Sequence, residues 1–265
     1  LALKKKYGIF NKKRKVAILI TGVLRKTKRA KQFLSNLPEG IDVFICTDQT
    51  NYNEATGLTD NVIVDNFESN SHAAINQWHK LEVGLRFIRD YENNNSLSYT
   101  HIYKLRTDFY FVRPAYAANY IAHGSEFTAI SDKVFGGRRD DMMLFDNFLN
   151  FNNYLSDNPL FIDNEWISQT SNSVKWYGFL MEETVLEGKS SVEQVKEYFN
   201  GQAMEGLTNK RQKVEIYRGN NDTRPRFFEG GKFFASEIIF AAFLMHYQII
   251  PRYSNDVSGF LYSDR

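Results

Sequence analysis

Apolar residues in this chain collect into short unbroken runs in the first half, with helix-spaced apolar positions between them. Lys15-Val-Ala-Ile-Leu-Ile-Thr21 is apolar throughout its interior, and Ile41-Asp-Val-Phe-Ile-Cys-Thr47 is a similar run that ends at an acid, Asp48. Runs of this kind suit strands buried on both faces of a parallel sheet. Asn61-Val-Ile-Val-Asp65 predicts a third strand. A fourth starts at Thr100, stops at Arg106-Thr107-Asp108, and gives way at once to a second aromatic run ending at Val112. Between these runs, Arg25 to Leu37 predicts a basic helix that ends before Pro38. Ser71 is placed to cap a long helix reaching about Glu92. Its apolar positions Ile75, Trp78, Leu81, Val83, Leu85 and Ile88 approximate helical spacing, and Asn93-Asn94-Asn95-Ser96 reads as the loop that ends it.

The second half is less regular. Phe127 to Ile130 predicts a strand, and Arg138 to Tyr154 a helix with Met142, Met143, Phe145 and Phe148 on its apolar side. Residues 157 to 232 mix polar turns with short amphipathic pieces, including a helix over Val192 to Phe199 and a strand over Val214 to Tyr217. Phe233 to Met245 predicts an apolar helix carrying a lone acid, Glu237, and Gln248 to Pro251 a closing strand. Strands alternating with helices define an α/β fold, Rossmann-like, with a mostly parallel central sheet flanked by helices. Without a repeat or a low-complexity linker, residues 15–265 read as a single domain behind an arm, residues 1–14.

Composition narrows the picture. The 265 residues are 43% apolar and 24% charged, which fits one large globular domain and not a disordered chain. The 22 Phe residues point first to an aromatic core. A net charge of +2 argues against a nucleic-acid binder. Seven cations nevertheless lie within the first fifteen residues, and they read as a solvated arm, with peripheral contact to anionic lipid as the sharper alternative. The single cysteine, Cys46, sits in a strand-like run, so a buried, reduced thiol is expected and an intrachain disulfide is excluded. No run approaches the roughly 18 apolar residues of a membrane span, and no signal peptide is evident, so a cytoplasmic location is expected.

Several chemistries lack their motifs. Thr21-Gly22-Val23-Leu24-Arg25 is not a dinucleotide fingerprint, no phosphate-binding P-loop occurs, and no nucleophile elbow occurs. The five histidines show no zinc-hydrolase spacing. What remains is charge at strand ends. Ligands in open α/β sheets collect there, and an acid with a guanidinium two residues away suits a free or metal-bound diphosphate.

Here the residues carry a resemblance. Val16 to Gly22 with Arg25, the Asp42-Val-Phe44 strand, the Gln77-Trp-His-Lys-Leu81 helix, Arg106-Thr-Asp108, Asp132-Lys-Val-Phe-Gly136 followed by Met142 or Met143, and Ser236-Glu237 occur in an order that resembles the WavE-like glycosyltransferases of lipopolysaccharide synthesis, enzymes of GT-A type. The resemblance implies a nucleotide-binding half over 15–112, an acceptor-side half over 113–265, and transfer of a sugar from a UDP- or GDP-sugar to a hydroxyl acceptor in surface-glycan synthesis. It places Gly22 and Arg25 beside the diphosphate, Asp48 on base or ribose, and Lys80 within reach of a phosphate. Asp108 becomes a Mn²⁺ or Mg²⁺ ligand, while Arg106 serves as an electrophile toward phosphate, a role that lessens the need for metal. Asp132 or Glu237 would take the acceptor proton, and Trp166, Trp176 and Tyr177 would offer sugar-stacking faces. The first alternative is a nucleotidyltransferase on a similar sheet, and the second a non-catalytic nucleotide- or sugar-binding module. For each residue a structural role competes: turn glycine, capping acid, salt bridge, solvated lysine.

Overall fold

The computed structural model of the chain describes residues 14–24, 27–68, 73–130 and 132–151, and in the C-terminal part residues 227–228, 232–233, 240, 243–244, 246–252, 255–257 and 259–261. Strand β1 (Val16–Thr21) is followed by helix α1 (Thr27–Leu34), β2 (Ile41–Thr47), a 3-10 turn over Gln49–Asn51, α2 (Tyr52–Thr56) and β3 (Asn61–Val64). Helix α3 (Ala73–Asn94) then leads to β4 (His101–Arg106), β5 (Phe109–Phe111), α4 (Pro114–His123), β6 (Thr128–Ile130), β7 (Val134–Arg138) and α5 (Arg139–Met143). Short pairs complete the described residues: β8 (Phe227–Phe228) with β9 (Lys232–Phe233), and β10 (Gly259–Leu261) with β5.

Six strands form one sheet in the order β3-β2-β1-β4-β7-β6. β1 lies between β2 and β4, parallel to both, with Val16 opposite Ile41 on one side and His101 on the other. β3 continues the parallel set beside β2, whereas β7 runs antiparallel to β4 and to β6. The α/β class and the mostly parallel sheet therefore stand as expected.

Alternation along β1 sets the two layers. Ala17 and Leu19 face a core built with Trp78, Leu81, Leu85 and Ile88 of α3, with Phe135 and Phe145, and with Phe240 and Phe243. Val16, Ile18 and Ile20 face the opposite core with Phe33 of α1 and Ala117, Ala118 and Ile121 of α4. A period of two on a strand sends neighbours to opposite faces, and both faces are covered, hence the unbroken apolar run. Trp78 anchors the first layer, its ring stacked 3.8 Å from Phe148. Truncating so large a buried ring would cost about 3–5 kcal/mol.

Some expectations need correction. The predicted helix from Arg138 to Tyr154 is broken: α5 ends at Met143 and a 3-10 turn covers Leu144–Asn147 before helix resumes. Met142, Phe145 and Phe148 remain buried through the break. Phe233 lies in β9 and not in the predicted helix, which is seen at residues such as Phe240 and Phe243. The closing strand over Gln248 to Pro251 is absent; Arg252 alone bridges to Thr128. The capping residue Ser71, the helix over Val192 to Phe199 and the strand over Val214 to Tyr217 lie outside the described residues, as does the arm up to residue 13. Among the described residues, no helix is long and apolar enough to cross a membrane.

Candidate functional site

All four parallel strands deliver their carboxyl ends to one cavity of about 390 Å³. That volume falls in the range of small-molecule sites. The wall takes Thr21 and Gly22 after β1, Asp48 and Thr50 after β2, Asp65 to Glu68 after β3, Arg106 to Asp108 after β4, and Asn76, Gln77 and Lys80 from α3. Chain order reverses between β1 and β4, which is where open α/β sheets leave a crevice.

Gly22 forms the floor of this seam. Its φ is +121°, a region that L side chains rarely adopt, and an added Cβ would lie 3.0 Å from Thr107 Oγ1. The turn is pinned on both sides. Gly22 N donates to Cys46 O at 3.1 Å, and Thr47 Oγ1 donates to Gly22 O at 2.8 Å. Across the crevice, Thr107 Oγ1 donates to Val23 O at 2.7 Å. Thr21 Oγ1, buried at the same seam, has no hydrogen-bond partner among the described residues. An unsatisfied buried hydroxyl is uncommon, and this one is enclosed at the edge of the cavity.

Two acid–base clusters face each other over the seam. Arg106 Nε and Nη2 donate to Asp108 Oδ1 and Oδ2 at 2.8 and 2.6 Å, a forked pair that keeps partial exposure. Opposite, the nearly buried Lys80 donates to Asp65 O and lies 3.6 Å from Asp65 Oδ2, while His79 Nδ1 is 2.9 Å from the same oxygen. Burial works to raise the Asp65 carboxyl, but bonds from His79 and the Phe67 amide, with the Lys80 charge, hold it below its usual value. Phe67 stacks on His79 with ring centres 4.0 Å apart. Asp48 caps the 3-10 turn: its Oδ1 accepts from Asn51 N at 3.1 Å, Asn51 Nδ2 at 2.5 Å and Thr50 Oγ1 at 2.6 Å. Burial is again the largest influence and raises this carboxyl, yet those bonds and Lys80 together bring it lower. Within β2, burial and then the Asp65 charge push the Cys46 thiol up to about 12, so it stays a neutral core residue.

Of the residues singled out from sequence, Gly22, Asp48, Lys80, Arg106 and Asp108 share this one cavity. Asp132 does not line it. It is only 2% exposed and stands one side chain behind the wall, touched by the wall residue Gln77. Arg25, Glu237, Trp166, Trp176 and Tyr177 lie outside the described residues. Sequence reasoning passed over Thr21, Asp65, Phe67 and Thr107 as site residues. Asp65 had the signal that exposed Asp48, an acid closing an apolar strand.

Among the described wall residues, four acids (Asp48, Asp65, Glu68, Asp108) face two cations (Lys80, Arg106), an acidic balance despite the pairing. Among the described residues, no three His, Cys, Asp or Glu side chains gather into a metal-holding group. No family model matches the chain, and no curated protein matches its sequence, so the meaning of the cavity rests on its geometry.

Proposed function

We propose that this cavity binds a nucleotide-diphosphate sugar and that the protein is a glycosyltransferase of GT-A-like fold, acting on a hydroxyl acceptor in surface-glycan synthesis. The observation that carries the reading is Gly22: a left-handed glycine at the β1–β4 crevice, beside an unpartnered Thr21 hydroxyl and between Arg106 and Lys80. Backbone without a Cβ lets a diphosphate approach closely, and two cations can then address its oxygens.

Departure of a nucleoside diphosphate builds negative charge on its terminal phosphate. Arg106 is forked and always charged, and it can exchange part of its bond to Asp108 for a phosphate oxygen. Lys80 is held in place by Asp65, so its charge needs little reorganisation to act. The acidic wall suits a diphosphate that arrives with a divalent cation. Magnesium or manganese sites of this kind take one or two carboxylates and fill the rest with phosphate and water. Asp108 is the carboxylate placed to serve, and the cation would neutralise charge on the leaving group. Asp132 is too enclosed to meet an acceptor hydroxyl directly, so the acceptor proton is not assigned to it. The basic arm would supply contact with an anionic membrane surface.

Calorimetric titration with UDP and GDP, each with Mn²⁺ or with chelator, tests the reading. Micromolar to millimolar binding that is strengthened by metal is expected. Asp108→Asn should remove the metal's contribution, a loss of about tenfold or more, and abolish slow UDP-sugar hydrolysis. Binding with no turnover in any condition would favour the non-catalytic module, a reading in which the Arg106–Asp108 fork is simply a salt bridge. No nucleotide binding at all would remove the proposal.

A further inference from the structure

We infer that the side-chain carbonyl of Gln77 is the acceptor through which the cavity reads a hydroxyl of the ligand's sugar, held in that orientation by Asp132 and Lys104 buried behind it. The inference rests on the nucleotide-sugar reading and names one of its specificity contacts.

Gln77 lies on the first turns of α3 and lines the cavity. Its amide nitrogen points away from the ligand space, donating to Asp132 O at 3.3 Å and to Asp132 Oδ2 at 3.4 Å. Those two atoms accept and do not donate when the carboxyl is ionised. The NH₂ end must therefore face Asp132, and a flipped amide would set oxygen against oxygen. That leaves Oε1 as the polar atom free for the cavity, and no hydrogen bond engages it among the described residues.

Asp132 has a cation behind it. Lys104, fully buried on β4, donates from Nζ to Asp132 O at 2.6 Å, and its charge acts on the Asp132 carboxylate. The Trp78 and Phe135 rings flank the ammonium at 5.8 and 5.3 Å. A lysine enclosed this completely is expensive unless it is paired. An apolar residue would fill the same space at less cost, so the pair is better explained by what it holds. What it holds is the polarity of the cavity wall: an acceptor there selects ligands that bring a donor, and a sugar hydroxyl is such a donor. Arg106, Asp108 and Lys133 are the other charges that act on Lys104: Asp108 favours its charged form, and Arg106 and Lys133 oppose it.

The test is titration of the folded protein with UDP, and with UDP-glucose, UDP-galactose, UDP-N-acetylglucosamine and GDP-mannose, scored as affinity for each sugar nucleotide relative to its bare diphosphate. Wild type should prefer one sugar form. Gln77→Leu should leave UDP or GDP affinity in place and reduce that preference about threefold to tenfold, the range of one net hydrogen bond. Lys104→Met should reproduce the loss, and the double variant should lose no more than either single one, because both remove the same contact. Should Lys104→Met fail to fold, Asp132→Asn supplies the comparison: it removes the carboxylate acceptor and leaves only the backbone carbonyl to orient Gln77, so a smaller loss of sugar preference is expected. A Gln77→Leu protein that keeps the sugar preference overturns the inference, as does a wild type that binds bare diphosphates and sugar nucleotides equally. Both outcomes leave the nucleotide reading standing. A wild type that binds no nucleotide overturns the two together.

Discussion

The two rims of the central sheet carry similar chemistry to different ends. At the amino-end rim, Arg139 donates from Nε and Nη2 to the buried Glu92 carboxylate at 2.7–2.9 Å. Glu92 Oε1 also accepts from Tyr99 N at 2.8 Å, and Tyr99 Oη donates to Asp42 at 2.6 Å. These groups tie the end of α3 to the starts of β4 and β2, and none of them lines the cavity at the carboxyl ends. At the carboxyl-end rim, the Arg106–Asp108 fork has similar bond lengths but borders open space, beside a hydroxyl with no partner. An arginine–carboxylate fork thus staples one rim, and a similar fork borders the cavity at the other. The difference lies in the enclosure of the carboxylate, 4% exposed for Glu92 against 21% for Asp108.

Breaking each fork separates the two roles most sharply. Arg139→Ala leaves Glu92 buried without its main partner. Because Arg139 itself is partly exposed, a loss near the low end for broken buried pairs, about 3 kcal/mol, is expected in urea denaturation. Nucleotide affinity should be unchanged. Arg106→Ala should do the reverse, with under about 1 kcal/mol lost in stability and at least tenfold lost in UDP affinity. Equal destabilisation by the two would erase the contrast between the rims.

The buried lysine sharpens the comparison through pH. Burial is the largest influence on Lys104 and brings its pKa down to about 7; Asp132 opposes this, and Arg106 adds to it. Between about 7 and the ordinary value of 10.5, the unfolded chain therefore binds more protons at this site than the folded one. Stability rises with pH wherever that holds. Relative to Lys104→Met, wild type should gain stability from pH 7 to pH 10, read as a growing difference in denaturation midpoint. A flat difference would mean that Lys104 stays charged throughout.

Gly22→Ala comes next in size. Its φ of +121° and the 3.0 Å approach to Thr107 Oγ1 together predict a loss of about 1–2 kcal/mol and a lower melting temperature. If the glycine is also the floor of the ligand seat, UDP affinity falls with it. A stable alanine variant with full affinity would reduce Gly22 to an ordinary turn.

What the amino-acid sequence makes legible follows the same divide. The parallel half was readable because its strands are buried on both faces: β2 spans the predicted Ile41–Thr47, and β1 differs only by Lys15. Strand β7 was missed because its Gly136–Gly137 pair reads as a turn. An added Cβ at Gly136 would come within 2.5 Å of the β4 backbone, so the glycine serves close strand approach there. Helix α4 was missed because Arg113-Pro114 reads as a loop, whereas Pro114 sits at the helix start, where its lost N–H costs nothing. In the site, acids at strand ends were legible as Asp48 and Asp108. The Lys104–Asp132 pair was not, because a lysine within a strand carries no sign of which layer it enters. Only packing against Trp78 and Phe135 reveals that.

The smallest effect completes the comparison within the amino-end rim itself. Arg139 Nη1 also reaches Asp140 Oδ1 at 3.4 Å, but that carboxylate is 94% exposed, against 4% for Glu92. Water already solvates Asp140, so the long bond replaces hydration rather than filling a need, and exposed pairs of this kind contribute little. Asp140 also sits in the first turn of α5, where an acid is favoured, but α5 is only five residues long and its dipole is weak. Asp140→Ala should leave the urea midpoint within experimental error of wild type, while Glu92→Gln shifts it clearly. Were Asp140→Ala to destabilise as much as Glu92→Gln, enclosure would not be what separates a staple from a bystander, and the same argument would fail for Arg106 and Asp108 at the other rim.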